Sequence, residues 1–334
     1  MSDRIRICDI AQELGLSSAT VSNVLHGKTH KVSDRTVQRV QQALEERNYI
    51  PSMAGILLAQ NSSRIIGIVI HDHPKYAGQP LADPFIAAAL NHLAREIEAD
   101  GQFMMVKTTA DAAQIIPFAS MWNLDGLVLL GFCDADYAWL RSHMRIPFVV
   151  YDANCPQPPG VCDITIDDYD GGLQVGRHFR QQRHRRVLCL ADNDTCVDKA
   201  RWEGFRAGFG SGADFWMIPM EQPQRHAFYR QRRTQLCQYT AVFAVSDHYA
   251  MDLMQELHGW GLRIPEDMAV AGFDDTPMCR QIWPQLTSVR QDVAQRARIA
   301  VRTLRQLRNH EPVPAAIRLP VQLVCRSSSL TVRE

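Results

Sequence analysis

Two sets of residues in this 334-residue chain have types and spacings that could do chemistry. The first is short and mostly polar: Ser17, Ser18, Ala19, Thr20, Ser22 and Asn23. The hydroxyls of Thr20 and Ser22 could donate to phosphate oxygens. A helix that starts with small side chains can enter the DNA major groove. There an Asn amide pairs bidentately with adenine, and an Ala methyl meets the thymine methyl. The second set is acidic and aromatic: Asp72, Asp83, Phe85, Asp152, Arg201, Ser246, Asp274 and Trp283. Arg and Asp can fix a hydroxyl-rich molecule by bidentate bonds, and an aromatic face can cover its C–H surface.

The first set needs a helix to carry it. Ile10, Ala11 and Leu14 recur at helical spacing, Gly15-Leu16-Ser17 breaks the run, and Val21, Val24 and Leu25 resume it. Ser17 is a good N-cap for the second helix, and Asp9 suits the first turn of the first. Ser33 can cap a third helix over about 34–47, whose Val37, Val40 and Leu44 would close a core with Ile10, Leu14 and Val21. The pattern predicts a three-helix helix-turn-helix headpiece over 1–50; a generic helical hairpin is the plainer alternative. Pro51 stops the third helix. Residues 52–59 can form a short hinge helix capped by Ser52, within a linker over 51–63, too short to be stable alone in water.

The second set needs strand ends. Ile65-Ile66-Gly67-Ile68-Val69-Ile70 is the β-branched apolar run of a buried parallel strand. Helices expected near 85–100, 112–122 and 136–143 alternate with strands at 103–106, 126–130 and 148–151. The alternation restarts with helices near 169–181, 197–209, 225–237 and 249–259 and strands at 187–190, 216–218, 241–244 and 268–273. A last helix over 293–308 and a strand over 317–323 are expected to return to the first half. The fold class is therefore α/β: headpiece and hinge helix, then two doubly wound parallel-sheet subdomains over 64–334. Such sheets bind ligands at the carboxyl ends of their strands, where the second set falls.

The run D-I-A-x-x-x-G-L-S-x-A-T-V-S-N-V-L-x-G, then Val32-Ser33 and Tyr49-Ile50-Pro51, resembles the LacI/GalR family of bacterial transcription regulators. In the core, Asp83-Pro84-Phe85 resembles the family's N-P-F and Arg201 opens R-x-x-G-F. Ser246-Asp247 resembles its N-D pair, and Gly272-Phe273-Asp274-Asp275 matches G-F-D-D. The resemblance implies a core of periplasmic-binding-protein type that binds a small effector and dimerises. It puts Asp152, Arg201, Ser246 and Asp274 at effector positions and has Ser18, Ala19 and Asn23 read bases. It also has Leu58 wedge into the minor groove when the hinge folds on DNA. The chain departs from the family at several points. Asn23 stands where Arg is common, which leaves the operator sequence open. Ser52 and Gly55 replace Asn and Ala in the hinge, and Gly55 lowers helix propensity by roughly 1 kcal/mol. Ser246 replaces the usual Asn, which changes what the effector can look like.

Composition is that of an ordinary globular chain, with 46% hydrophobic and 22% charged residues, and the formal net charge is zero. Residues 1–61 carry seven basic against six acidic side chains. DNA affinity must then come from placement and dimerisation, not bulk charge. Nine scattered cysteines without a CxxC spacing suit a reducing compartment. With no secretory pattern and no run of about 18 apolar residues, a cytoplasmic protein without membrane contact is expected. No Walker A, no G-x-G-x-x-G after a strand and no nucleophile elbow appear, so neither an enzyme nor a cofactor is expected. A sugar-binding transport component is the rival of another class, and the helix-turn-helix opposes it. His71-Asp72-His73 lacks further ligands at metal spacing. Arg201 and Asp274 could instead be an ion pair across the cleft, and Phe85 and Trp283 plain core aromatics. Asp247 and Asp275 suit loop orientation better than ligand contact. The expected partners are double-stranded operator DNA with two-fold symmetry, a second copy of the chain, and a neutral hydroxyl-rich effector, a sugar or nucleoside. Whether the effector releases or promotes DNA binding stays open.

Overall fold

The computed structural model describes residues 5–49, 62–132, 134–153 and 161–330, in two compact units, Met1–Ser63 and Arg64–Glu334. The expected hinge helix and Leu58 lie outside the described residues.

In the first unit, Gly15 ends α1 (Ile7–Leu14) at φ 64°, a left-handed conformation that a Cβ would strain. The turn leads into α2 (Ser18–Leu25) and on to α3 (Asp34–Glu46). Ile10, Ala11, Val21, Val24, Val40 and Ala43 are buried together, with Leu14, Val37 and Leu44 packed on them. Each fully buried Ile or Val contributes roughly 1.5–3 kcal/mol. Arg47 ties α3 to α1 through Glu13 at 3.0 Å.

The second unit holds two six-stranded sheets. The first runs β11-β5-β4-β3-β1-β2, all parallel. It is built from β1 (Ile65–His71), β2 (Phe103–Thr109), β3 (Gly126–Leu130), β4 (Phe148–Tyr151), β5 (Val161–Ile166) and β11 (Ala316–Leu319). The second, β12-β10-β9-β8-β6-β7, comprises β6 (Val187–Ala191), β7 (Ala213–Met217), β8 (Ala241–Ala244), β9 (Ala269–Asp274), β10 (Thr287–Gln291) and β12 (Val321–Val324). It is parallel except for β12 against β10. Every residue of β3, β4, β5, β6 and β8 is buried, as expected of sheets covered on both faces.

The helices that matter for the site are α4 (Pro84–Ala99), α5 (Ile115–Met121), α6 (Asp134–His143), α7 (Asp168–Gln181), α8 (Cys196–Phe209), α9 (Gln222–Gln231), α10 (Arg233–Leu236), α11 (Asp247–Gly259) and α12 (Val293–Arg308). α7 and α8 pack with their backbones almost touching. A Cβ on Gly172 would stand 2.0 Å from the Arg201 carbonyl oxygen, and one on Gly204 would stand 1.9 Å from that of Tyr169.

The structure corrects the expected C-terminus. The single strand over 317–323 is two strands parted by Pro320, which has no N–H for a ladder. β11 joins the first sheet with α12 packed on α4, and β12 joins the second. The chain thus crosses between the halves after β5, after β10 and between β11 and β12. Two of the crossings are bonded to each other, Asp167 N donating to Leu319 O at 2.9 Å.

Candidate functional site

On the headpiece, Ser17 caps α2, its Oγ accepting from Thr20 N at 3.1 Å and lying 2.8 Å from Thr20 Oγ1. Burial of Val21 and Val24 turns the opposite face outward, where Ser18, Ala19 and Asn23 are all exposed. Ser22 is half-buried beside His26, whose Nδ1 lies 2.7 Å from the Ser22 carbonyl oxygen. Small groups on the first turn and an amide one turn later form an exposed strip on a helix held by its buried side.

In the core a cavity of about 440 Å³ opens at the carboxyl ends of β1, β3, β4, β6, β8 and β9. Of the eight residues expected at a ligand site, the fold brings five to its wall: Phe85, Asp152, Arg201, Ser246 and Asp274. The other three stand apart from the lining. Asp83 caps α4, Oδ1 accepting from Phe85 N at 3.0 Å and Ile86 N at 3.1 Å. Asp72 continues the ladder, its N–H donating to Thr109 O at 3.1 Å, while its neighbours His71 and His73 take the wall. Trp283 is 81% exposed.

Arg201 is buried on α8 and does not pair with Asp274. Its Nε donates to Asp168 at 2.8 Å, its Nη1 to Val245 O at 2.6 Å, and its plane lies 3.7 Å from the Phe273 ring centroid. Burial opposes its charge, but Asp168, Asp274 and Asp198 together hold its pKa above the ordinary value. Asp152 pairs at 2.5 Å with Arg296, which has no exposed surface. Asp274 accepts from Gln291 Nε2 at 2.8 Å, and Arg296 Nη1 donates to Gln291 Oε1 at 3.0 Å. A chain of bonds therefore runs from Asp152 in the first half to Asp274 in the second. Asp152 and Asp274 both have positive φ, 59° and 112°. Such backbone costs of order 1–3 kcal/mol for a non-glycine residue and concentrates at ligand sites.

Ser246 lines the cavity while capping α11, its Oγ accepting from Tyr249 N at 3.4 Å. Asp247 and Asp275 lie outside the lining and hold loops. Asp247 accepts from Thr276 N at 2.8 Å and Ser288 Oγ at 2.5 Å, and Asp275 pairs with Arg290 at 2.6 Å and Arg326 at 2.5 Å.

A model of the lacI family of bacterial regulatory proteins matches residues 6–52, and one of a periplasmic binding protein-like domain matches residues 177–329. The chain thus carries a LacI-type helix-turn-helix domain and a periplasmic-binding-protein-like domain, and its relatives are LacI/GalR-family transcription regulators. It is 26% identical over 344 residues to the HTH-type transcriptional regulator DegA of Bacillus subtilis, with 97% of each chain covered. The crystal structure of the lac repressor dimer bound to operator and an anti-inducer superposes with a TM-score of 0.84 at 23% identity, covering 98% of this chain and 100% of that one. A complex of the transcriptional regulator CelR with cellobiose gives 0.70 at 22% identity, over 98% and 100%. The two matched domains are those of DNA-binding transcription regulators with an effector-binding core, and the relatives are regulators, not enzymes.

The fold also brings forward wall residues that motif matching does not single out. The His71 and His73 rings lie 4.2 Å apart, His73 Nε2 donating to Gly131 O at 2.9 Å. Burial lowers the pKa of both rings, which favours neutral imidazoles. Lys75 follows on the same loop. Burial opposes its charge, but Tyr76, Asp192, Asp83 and Asp198 hold its pKa up. From the other half, Asp192 accepts from the Tyr249 hydroxyl, and Asp198 Oδ2 accepts from Asn193 Nδ2 at 3.1 Å. Burial and the neighbouring Asp192 push the Asp198 carboxyl up to about 7. Asp274 is raised well above the usual range by burial, with Asp247 and Asp83 adding to it. The triplet His71-Asp72-His73 was the one visible signal. Among the described residues it gathers no third metal-ligating side chain, and it contributes an imidazole wall.

Proposed function

We propose that the chain is a sequence-specific repressor that binds a two-fold operator as a homodimer in the cytoplasm, released or retained according to a hydroxyl-rich effector in the core cavity. The observation that carries the reading is the convergence of Phe85, Asp152, Arg201, Ser246 and Asp274, from five separate segments, on one cavity between two halves. In this reading Ser18, Ala19 and Asn23 read base edges, Thr20 and Ser22 hold phosphates, and Leu58 wedges the minor groove at the dyad. The known ligand of CelR, cellobiose, supports a carbohydrate.

Asp152, Arg296, Gln291 and Asp274 join the halves beside two chain crossings, so a ligand that engages either aspartate biases cleft closure. Closure is then felt at the start of the core, where the hinge enters. A coupling of about 1–3 kcal/mol, or 5–150-fold in affinity, is typical of such switches. The test is fluorescence anisotropy of the full chain on its selected operator while sugars are titrated. We expect at least a five-fold change in operator affinity with one of them, abolished by Arg201→Ala. A change of equal size in that variant would put the effector elsewhere.

A further inference from the structure

We infer that the effector carries a positively charged amine on a hydroxyl-bearing body: an amino sugar or amino polyol, in place of a neutral sugar or a sugar phosphate. The inference rests on the cavity's being the effector site. Five acidic side chains line it, Asp136, Asp152, Asp192, Asp198 and Asp274, against two lining cations, Lys75 and Arg201, with Arg296 paired to Asp152 from behind the wall. Arg201 is already committed to Asp168 at 2.8 Å and to the Val245 carbonyl at 2.6 Å. Lys75 reaches from the first half into the field of Asp192 and Asp198 in the second. An entering anion would meet a wall already crowded with acids, two of which, Asp198 and Asp274, are pushed toward their neutral forms, and a neutral polyol would leave that crowding unrelieved. An ammonium supplies what the wall lacks, and carboxylates accept its N–H bonds at short range.

A second observation points to a ligand independently. Tyr151 lines the cavity, is 3% exposed, and its buried hydroxyl has no hydrogen-bond partner among the described residues. Its ring is fixed by the Arg296 guanidinium 4.1 Å from its centroid. A buried hydroxyl is rarely left unmatched, and a ligand hydroxyl or amine entering beside Asp152 would match it. The pressure among the acids agrees with this. Asp198, raised to about 7 by burial and by Asp192, is a carboxyl that a bound cation would return to its ionised form.

Isothermal titration of the full chain at neutral pH tests the inference. The probes are the hexoses glucose, galactose and mannose, with their 2-amino, 2-acetamido and 6-phosphate forms, and 1-amino-1-deoxy polyols. The tightest binder should carry a free amine, beat its neutral parent by at least ten-fold and lose at least ten-fold on acetylation. Asp192→Asn and Asp198→Asn, nearly isosteric, should each shrink that preference several-fold. The inference is overturned if a neutral sugar or phosphate binds at least as tightly as every amine, or if no amine binds. A neutral sugar that needs Arg201 would leave the cavity as the effector site and reject the amine. An amine that binds Arg201→Ala as tightly as the natural chain would overturn both.

Discussion

Arg201 gives its Nε to Asp168 at 2.8 Å and leaves Asp274 to Gln291, which donates to it at 2.8 Å. The arginine is thus clamped from behind and presents its remaining guanidinium edge to the cavity. Asp274 is bound to the crossing between the halves. Substitution of Arg201 by Ala removes the fork and its ion pair with Asp168. Hydrogen bonds to charged groups are worth about 1.5–3 kcal/mol, so effector affinity should fall roughly 10- to 150-fold. Operator affinity without effector should stay within about two-fold. Arg201→Lys, which keeps the charge and loses the fork, should recover the ion pair but little of the effector affinity. Calorimetry for effector and anisotropy for DNA separate the two.

The close approach of α7 and α8 makes a stability prediction. Gly172→Ala puts a methyl where the Arg201 carbonyl oxygen lies 2.0 Å away, and that atom belongs to helix backbone that cannot turn aside. Overpacking of this kind costs about 1–3 kcal/mol or more, which urea unfolding would show. Because the displaced residue is Arg201 itself, effector affinity should fall with stability. Gly259→Ala, where nothing lies within 4 Å of the added Cβ, is the control expected to leave both in place.

Stability should also depend on pH through Asp198. Its carboxyl titrates near 7 when folded and near the usual 3.8 when unfolded, so the folded state binds the extra proton. Stability from this group therefore falls as pH rises from about 4 to about 7. Asp198→Asn should be more stable than the natural chain at pH 8, with the difference closing by pH 4. His71 and His73 act in the opposite sense. Their lowered pKa values mean that the unfolded state takes protons first, so their contribution is complete above 6.5 and is lost as pH falls through the folded values. A variant whose urea midpoint follows the natural chain at every pH would show that Asp198 titrates alike in the folded and unfolded states.

On the headpiece, Asn23→Ala should relax base preference at one position in each half-site. One bidentate base contact is worth about 1–3 kcal/mol of discrimination. Binding to unrelated duplex should change little, since phosphate contacts remain. Unchanged preference at every position would leave Asn23 as a surface amide. Leu58→Ala should weaken specific binding far more than non-specific binding, and equal losses would mean that no wedge forms.

Much of the fold was legible because its strands are apolar runs. Ile65 to Ile70 and Leu127 to Leu130 can go nowhere but the middle of a covered sheet. β5 and β10 were not, because polar residues interrupt them. Asp163 and Thr165 in β5 and Thr287 and Ser288 in β10 are all buried. Their partners are distant in sequence: Asp163 accepts from Ala153 N at 3.2 Å, and the Thr287 and Ser329 hydroxyls lie 2.6 Å apart. No local pattern announces such bonds. The candidate site divides in the same way. Arg201 and Asp274 stand out by motif, whereas His73, Lys75 and Tyr249 reach the cavity by the path of loops and the start of a helix. Trp283 shows the opposite failure, an aromatic in a promising stretch whose ring faces outward.

The central claim is that an exposed strip on α2 reads a symmetric DNA site under control of the core. Selection of binding sites from a random duplex library, with the full chain and with Asn23→Ala in parallel, tests it most directly. The account predicts a palindrome recovered by the full chain, with a flexible pyrimidine–purine step at its centre, and one relaxed position per half-site in the variant. Enrichment of no sequence by the full chain, with or without sugars and amino sugars, would contradict it.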